Sequence, residues 1–158
     1  MIGAFTTLVA YRKKLFKDRL TFQSCLDCMG RSAEENSIVV PVFCFMPDHI
    51  HLVARGQSAE ADLWKFMFAF KQYSGWWLRC HEKGYHWHKD FFDHLVRGKR
   101  DLRNQVRYVV QNPVKGGLVA DWREYPYTGA IGVSLKETLE EVGLWDEMTL
   151  QAIGGCDG

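Results

Sequence analysis

The order of apolar and polar positions divides the chain into six elements, a further helix and a tail. Residues 4–11, Ala-Phe-Thr-Thr-Leu-Val-Ala-Tyr, are rich in β-branched and aromatic side chains and predict a first strand. From Lys13 to Asn36 the apolar positions Leu15, Phe22, Leu26 and Met29 fall on one face at helical spacing. Glu34 to Ser37 reads as a loop. Ile38 to Phe45 is a second strand, Pro47-Asp48 breaks it, and Ile50 to Arg55 is a third. Gly56 to Ala59 is a loop in which Ser58 is placed to cap a long helix, Ala61 to Lys83, that Gly84 closes. Tyr85 to Val96 is extended. Asp101 to Asn112 is a last core helix, which Pro113 is expected to end, because proline lacks an N–H and disfavours helical backbone before it. Lys115-Gly116-Gly117 then turns the chain, and the remainder from Asp121 reads as loop with a short helix at Leu135 to Leu144.

This order fits an α+β fold, a ferredoxin-like split βαββαβ antiparallel sheet with helices on one face, followed by a C-terminal helix. Residues 1–130 are expected to form one catalytic-sized domain and residues 131–158 an acidic C-terminal tail. A length of 158 residues suits one domain with a full core. Apolar residues at 47% and charged residues at 25% exclude a disordered chain. No apolar run approaches the ~18 residues that span a bilayer, and the first charged residue is Arg12, so neither a membrane anchor nor a signal segment is expected and the location read from sequence is cytoplasmic. Cys25, Cys28, Cys44, Cys80 and Cys156 form no even framework and are expected as free thiols, with Cys25 and Cys28 one helical turn apart.

Charge changes the picture more than composition does. Residues 121–158 hold eight acids against two bases, a net of −6, so residues 1–120 carry +7. Two basic clusters lie in that positive body. The first includes Arg12, Lys13 and Lys14, and the second Arg97, Lys99, Arg100, Arg103 and Arg107. Either alone reads equally well as a solvated face; together they favour a polyanionic partner. The helix at 61–83 carries aromatics on most sides, a pattern of core on one face and a covering partner, such as a second copy in a homodimer, on another. The alternative is a platform on which nucleic-acid bases stack.

The candidate chemistry centres on His49-Ile50-His51. In a strand, residues two apart share a face, so the two imidazoles point together and Ile50 points into the core. Side-by-side imidazoles suit a metal ion, although a bare His-x-His is as readily a wet strand face. His86-Trp87-His88 is a second such pair but lacks the tight break before it. In the last helix Tyr108 and Asn112 are four residues apart and share a face. Asn112 offers a hard amide oxygen suited to Mg²⁺ or Mn²⁺, and Tyr108 a phenol that attacks only a polarised target. Tyr108 taken alone reads equally as a buried structural tyrosine.

Met46-Pro47-Asp48-His49-Ile50-His51-Leu52-Val53 resembles the His-hydrophobic-His motif of single-tyrosine transposases. The stretch from Arg107 to Val119 is similar to the tyrosine helix of the REP-associated tyrosine transposases within that superfamily, and Trp87 to Arg97, Asp121-Trp122 and Tyr125-Pro126-Tyr127 are similar to the segments around it. The resemblance covers roughly residues 38–130. It implies a ferredoxin-like fold, His49, His51 and Asn112 as ligands of a divalent metal (Mg²⁺ or Mn²⁺), and Tyr108 as the nucleophile. It further implies cleavage and joining of single-stranded or hairpin DNA through a 5′-phosphotyrosine link. The rival readings are a non-catalytic DNA-binding module, such as a domesticated repressor, and a metal hydrolase in which water attacks. A covalent protein–DNA adduct separates the first reading from both.

Overall fold

The computed structural model describes residues 1–154, with side chains as far as Leu150; Cys156 and Asp157 lie outside the described residues. Five strands form one antiparallel sheet: β1 (Ile2–Val9), β2 (Ile38–Met46), β3 (His49–Gly56), β4 (Trp87–Leu95) and β5 (Thr128–Ile131), in the order β4-β1-β3-β2-β5. Five α-helices accompany them: α1 (Arg19–Glu35), α2 (Leu63–His81), α3 (Gly98–Lys115), α4 (Leu135–Glu141) and α5 (Trp145–Gly154). The first four strands with α1 and α2 are the expected ferredoxin-like α+β unit.

Strand alternation divides the molecule into two cores. Phe5, Phe43, Phe45, Ile50 and Leu52 point to the face covered by α1 and α2, whose buried positions include Phe22, Met29, Phe66 and Phe70. Val42, Cys44, Met46 and Val53 point to the other face, where Val106, Val109 and Val110 of α3 pack. The apolar positions of β2 are buried on both sides, so it reads as a continuous hydrophobic run.

Several boundaries differ from the sequence reading. α1 starts at Arg19 instead of Lys13, because Tyr11 and Arg12 take positive φ in a 3-10 turn over Ala10–Arg12, and the carboxylate of Asp18 caps α1 by accepting from the Thr21 N–H. Leu15 is nevertheless buried. At α2 the cap is Asp62, not Ser58: its carboxylate accepts from the Trp64 and Lys65 N–H groups. α3 runs past Pro113 to Lys115. Proline sits within its last turns, its ring is buried, and the Asn112, Pro113 and Val114 carbonyls accept from the Gly116, Leu118 and Gly117 N–H groups.

The C-terminal stretch contains the short helix expected within Leu135 to Leu144, and adds a strand and a second helix where loop was expected. β5 extends the sheet on β2, and α4 and α5 close over the α3 face, where Leu139, Leu144 and Met148 are buried. α4 begins with a capping box between Ser134 and Glu137. Cys25 and Cys28 lie one turn apart on α1 as free thiols, and burial raises the pKa of both. Among the described residues no helix is long and apolar enough to cross a membrane.

Candidate active site

β2 ends at Met46, Pro47-Asp48 forms the tight connection, and β3 opens on His49. Met46 pairs with His49 and Cys44 with His51 across this hairpin. Because Ile50 and Leu52 fill the α1–α2 core, the period of two turns His49 and His51 towards α3. Their ring centroids lie 4.6 Å apart at an interplanar angle of 81°. Tyr108 completes the group, its ring 5.2 Å from that of His51. Val106, Val109 and Val110 seat α3 on the sheet and leave Tyr108 on the margin of the interface, 47% exposed.

Each imidazole is oriented through Nδ1. His51 Nδ1 lies 2.8 Å from Thr6 Oγ1 on the neighbouring strand β1, and His49 Nδ1 lies 2.6 Å from Asp48 Oδ1. Arg12 Nε donates to the other Asp48 oxygen at 3.0 Å. Burial alone would raise the Asp48 pKa, but the His49 and Arg12 contacts hold it below the usual carboxylate range. His51 is pushed down to about 3, first by burial and then by the proximity of His49 and of the Arg12 guanidinium. It is therefore a neutral imidazole over the physiological range, the form that ligates metals.

Both Nε2 atoms remain for a ligand, the arrangement typical of metal-binding histidines, whose other nitrogen is held by a carboxylate or hydroxyl. Among the described residues no three His, Cys, Asp or Glu side chains gather where a metal ion could sit. A third protein ligand would have to be of another type. Asn112 lies one turn beyond Tyr108 on α3, and the helix end there is close to the hairpin: a Cβ on Gly116 would meet Met46 Cε at 3.1 Å and the Asn112 carbonyl at 3.3 Å. Two oriented imidazoles, with an amide-bearing residue one turn beyond Tyr108 on the facing helix, are a donor set that suits a divalent cation.

Beside Tyr108 a cleft of about 120 Å³ separates α3 from β1 and β4, lined by His51, Thr6, Phe92, His94 and Gln105 among others. His94 Nε2 pairs with Asp101 Oδ2 at 2.8 Å. The Lys115 ammonium lies 5.7 Å from the Tyr108 ring centroid. The sequence pattern does not single out Thr6, Asp48, His94 or Lys115 as site residues. Asp48 alone carries a signal, by preceding His49 directly; the others arrive from distant strands or along the helix.

The structure separates the two basic clusters. Arg12 belongs to the site through Asp48, Lys13 donates to the Gly84 carbonyl at 3.0 Å, and Lys14 is exposed. Arg97, Lys99 and Arg100 are exposed at the start of α3. Arg103 and Arg107 instead pair with Glu147 of α5, at 2.7 and 3.0 Å. His86, just before β4, and His88, on it, are exposed, and His88 Nδ1 accepts from the Asp90 N–H.

The site is thus a histidine pair on the central hairpin of a split βαββαβ sheet, facing a helix-borne tyrosine. Residues 4–112 match the family described as Transposase IS200 like, and the chain belongs to that family. It is 30% identical over 98 residues to a candidate REP-associated tyrosine transposase of Haemophilus influenzae, covering 54% of each chain. It is 28% identical over 86 residues to the REP-associated tyrosine transposase of Escherichia coli, covering 52% of this chain and 48% of the other. The chain thus spans about half the length of the curated relatives it matches. Its fold is similar to that of a REP-associated tyrosine transposase solved bound to a REP hairpin, with a TM-score of 0.70, 21% identity, and 80% of this chain and 74% of that one covered.

Proposed function

We propose that the protein is a metal-dependent single-stranded DNA endonuclease and strand transferase that acts on hairpin-bearing DNA through a 5′-phosphotyrosine intermediate. The observation that carries this reading is the half-exposed Tyr108 ring set 5.2 Å from His51, itself beside His49. Hairpin DNA as substrate is supported by the solved relative bound to a REP hairpin and by the exposed Arg97, Lys99 and Arg100 at the start of the tyrosine helix.

A divalent ion held by His49, His51 and Asn112 would supply Lewis-acid polarisation of the scissile phosphate. The chain's own residues do the rest. Thr6 and Asp48 fix the ring orientations, so no reorganisation is needed as the phosphate arrives. Tyr108 Oη attacks phosphorus in line, its proton passing to solvent. The bond from phosphorus to the 3′ oxygen breaks, and that oxygen takes a proton to leave as a free 3′-OH. The DNA 5′ end stays on Tyr108 as a phosphodiester until a 3′-OH attacks in the reverse sense and rejoins the strand. Lys115, above the Tyr108 ring, places positive charge beside the phosphate.

The test is a labelled hairpin oligonucleotide with single-stranded flanks, incubated with Mn²⁺ and resolved under denaturing conditions. The wild type is expected to form a covalent adduct, and Tyr108→Phe to form none while binding the oligonucleotide within about threefold of wild type, because only the nucleophilic oxygen is removed. An adduct in the Phe variant at the wild-type rate would assign the attack to another group.

A further inference from the structure

A second concavity lies away from the tyrosine. It is a groove of about 1300 Å³ between α2 and the start of β4, with one wall from α1. Its lining has an unusual charge. Arg31, Lys71, Arg79, Lys83 and Lys89 line it together with three histidines, and among the described residues no Asp or Glu does. Arg31 is partly neutralised by Glu35 at 3.1 Å, and Lys71 is spent on β4, donating to the carbonyls of His88 and Lys89 at 2.7 and 3.2 Å. Arg79, Lys83 and Lys89 are exposed and have no carboxylate partner among the described residues.

Aromatic rings are interleaved with these cations. Trp76 is 65% exposed, an expensive state for an indole, with the Arg79 guanidinium 5.8 Å from its ring. Trp77 stacks on His81 at 4.6 Å and 14°, and Tyr85 lies at the far end under Lys13. Gly75 faces the groove from the middle of α2, where glycine costs roughly 1 kcal/mol relative to alanine. A Cβ there would meet only Trp87 Cδ1, at 4.0 Å, so core packing does not demand the glycine. Its effect is to keep the groove floor low.

The groove is also joined to the candidate active site. The Ala10 N–H donates to the His86 carbonyl and the Val9 N–H to the Asp48 carbonyl, so the Ala10–Arg12 turn lies between the two. Within that turn Tyr11 and Arg12 both take left-handed backbone, with φ of 60° and 53°, a conformation that costs non-glycine residues of order 1 kcal/mol each. The result is a Tyr11 side chain 86% exposed with its ring edge-on to His86, and an Arg12 side chain on Asp48.

We propose that the α2–β4 groove is a second DNA site, which holds a single-stranded segment by stacking bases on Trp76 and Tyr11 and binding phosphates with Arg79, Lys83 and Lys89, and so anchors the strand flanking the hairpin while Tyr108 acts on it. Positive charge with interleaved exposed aromatics is the signature of sequence-tolerant single-strand binding. The proposal rests on the DNA reading above for the identity of its ligand, and is tested apart from cleavage.

The experiment uses the full chain and fluorescein-labelled dT20, which has neither hairpin nor cleavage site, at several salt concentrations. Tyr108→Phe is expected to bind it as the wild type does. Trp76→Ala is expected to bind about tenfold more weakly, since one base stack is worth about 1–3 kcal/mol. The triple variant Arg79→Ala/Lys83→Ala/Lys89→Ala is expected to reduce the slope of log K against log salt by about 2, at about 0.7 for each phosphate no longer neutralised. dT20 should quench the tryptophan fluorescence of the wild type more than that of Trp76→Ala. All four side chains are exposed, so melting temperatures should match and a folding defect is separable. Wild-type affinity and salt slope in both groove variants would overturn the second site even if cleavage proceeds. A wild type that cleaves hairpins but does not bind dT20 would also overturn it, whereas absence of all DNA binding and cleavage would remove the function proposed above.

Discussion

At the scale of the residue, His51 shows how burial sets chemistry. It is enclosed between β1, β2 and Tyr108, tied to Thr6, and its pKa is pushed down to about 3 by burial and by the proximity of His49 and of the Arg12 guanidinium. Because the folded protein holds this imidazole neutral while the unfolded chain protonates it below about 6.5, the unfolded state binds more protons in that window. The stability linked to His51 is thus complete above pH about 6.5 and is lost as pH falls towards 3. Urea titrations of metal-free protein at pH 7.5 and 4.5 are expected to show a loss on the order of 2 kcal/mol from this group. His51→Gln, which keeps a polar partner for Thr6, should lose correspondingly less over the same interval. An unchanged pH difference in the variant would place the acid sensitivity elsewhere.

At the scale of the element, β2 is informative because it contains Pro41. A proline cannot donate to a ladder and is usually confined to edges or bulges. Here the register shifts on both sides of β2, between Val39 and Val42 towards β3 and between Val40 and Phe43 towards β5, so Pro41 sits in the irregularity. Its carbonyl is taken by α4: the buried Thr138 hydroxyl donates to Pro41 O at 2.7 Å. One tail helix therefore satisfies a backbone group of a central strand. Thr138→Val keeps the volume and removes the donor, and is expected to cost about 1–3 kcal/mol in chemical denaturation. A cost near zero would mean that water replaces the hydroxyl.

At the scale of the whole molecule, the acidic C-terminal stretch is a structural layer over the α3 face. Leu139 and Leu144 are wholly buried and Met148 nearly so, in the same core as Val42, Val53 and Val110. Glu147 meanwhile binds Arg103 and Arg107 on the tyrosine helix. Packing is the larger effect: each buried apolar side chain removed costs about 2–5 kcal/mol, whereas a partly exposed ion pair contributes about 0–1. Removal of residues 135–158 is expected to lower the melting temperature by more than about 10 °C or to prevent folding. Glu147→Gln is expected to change it by at most a few degrees. Equal melting temperatures for the truncated and full chains would show that the layer is dispensable.

Legible in the chain alone were the strand and helix order of the first 112 residues, the common facing of His49 and His51, and that of Tyr108 and Asn112. All three follow from local periodicity: residues alternate across a strand and recur by turns along a helix, so the pattern of Ile50 and Leu52 against His49 and His51 is legible without any partner. The contacts made across large separations became visible only in the folded molecule. Thr6 reaches His51 because β1 pairs with β3, Glu147 reaches Arg103 because α5 folds back, and Pro41 finds Thr138 across 97 residues. In the tail the short helix around Leu139 is legible from its apolar positions, but β5, α5 and the face on which Leu139, Leu144 and Met148 are buried are not, because they depend on which layer the acidic stretch folds back upon. The groove likewise arises only when α2 and β4, both rich in ambiguous aromatics, are set side by side, since propensity specifies neither which aromatic is buried nor which is left to face solvent.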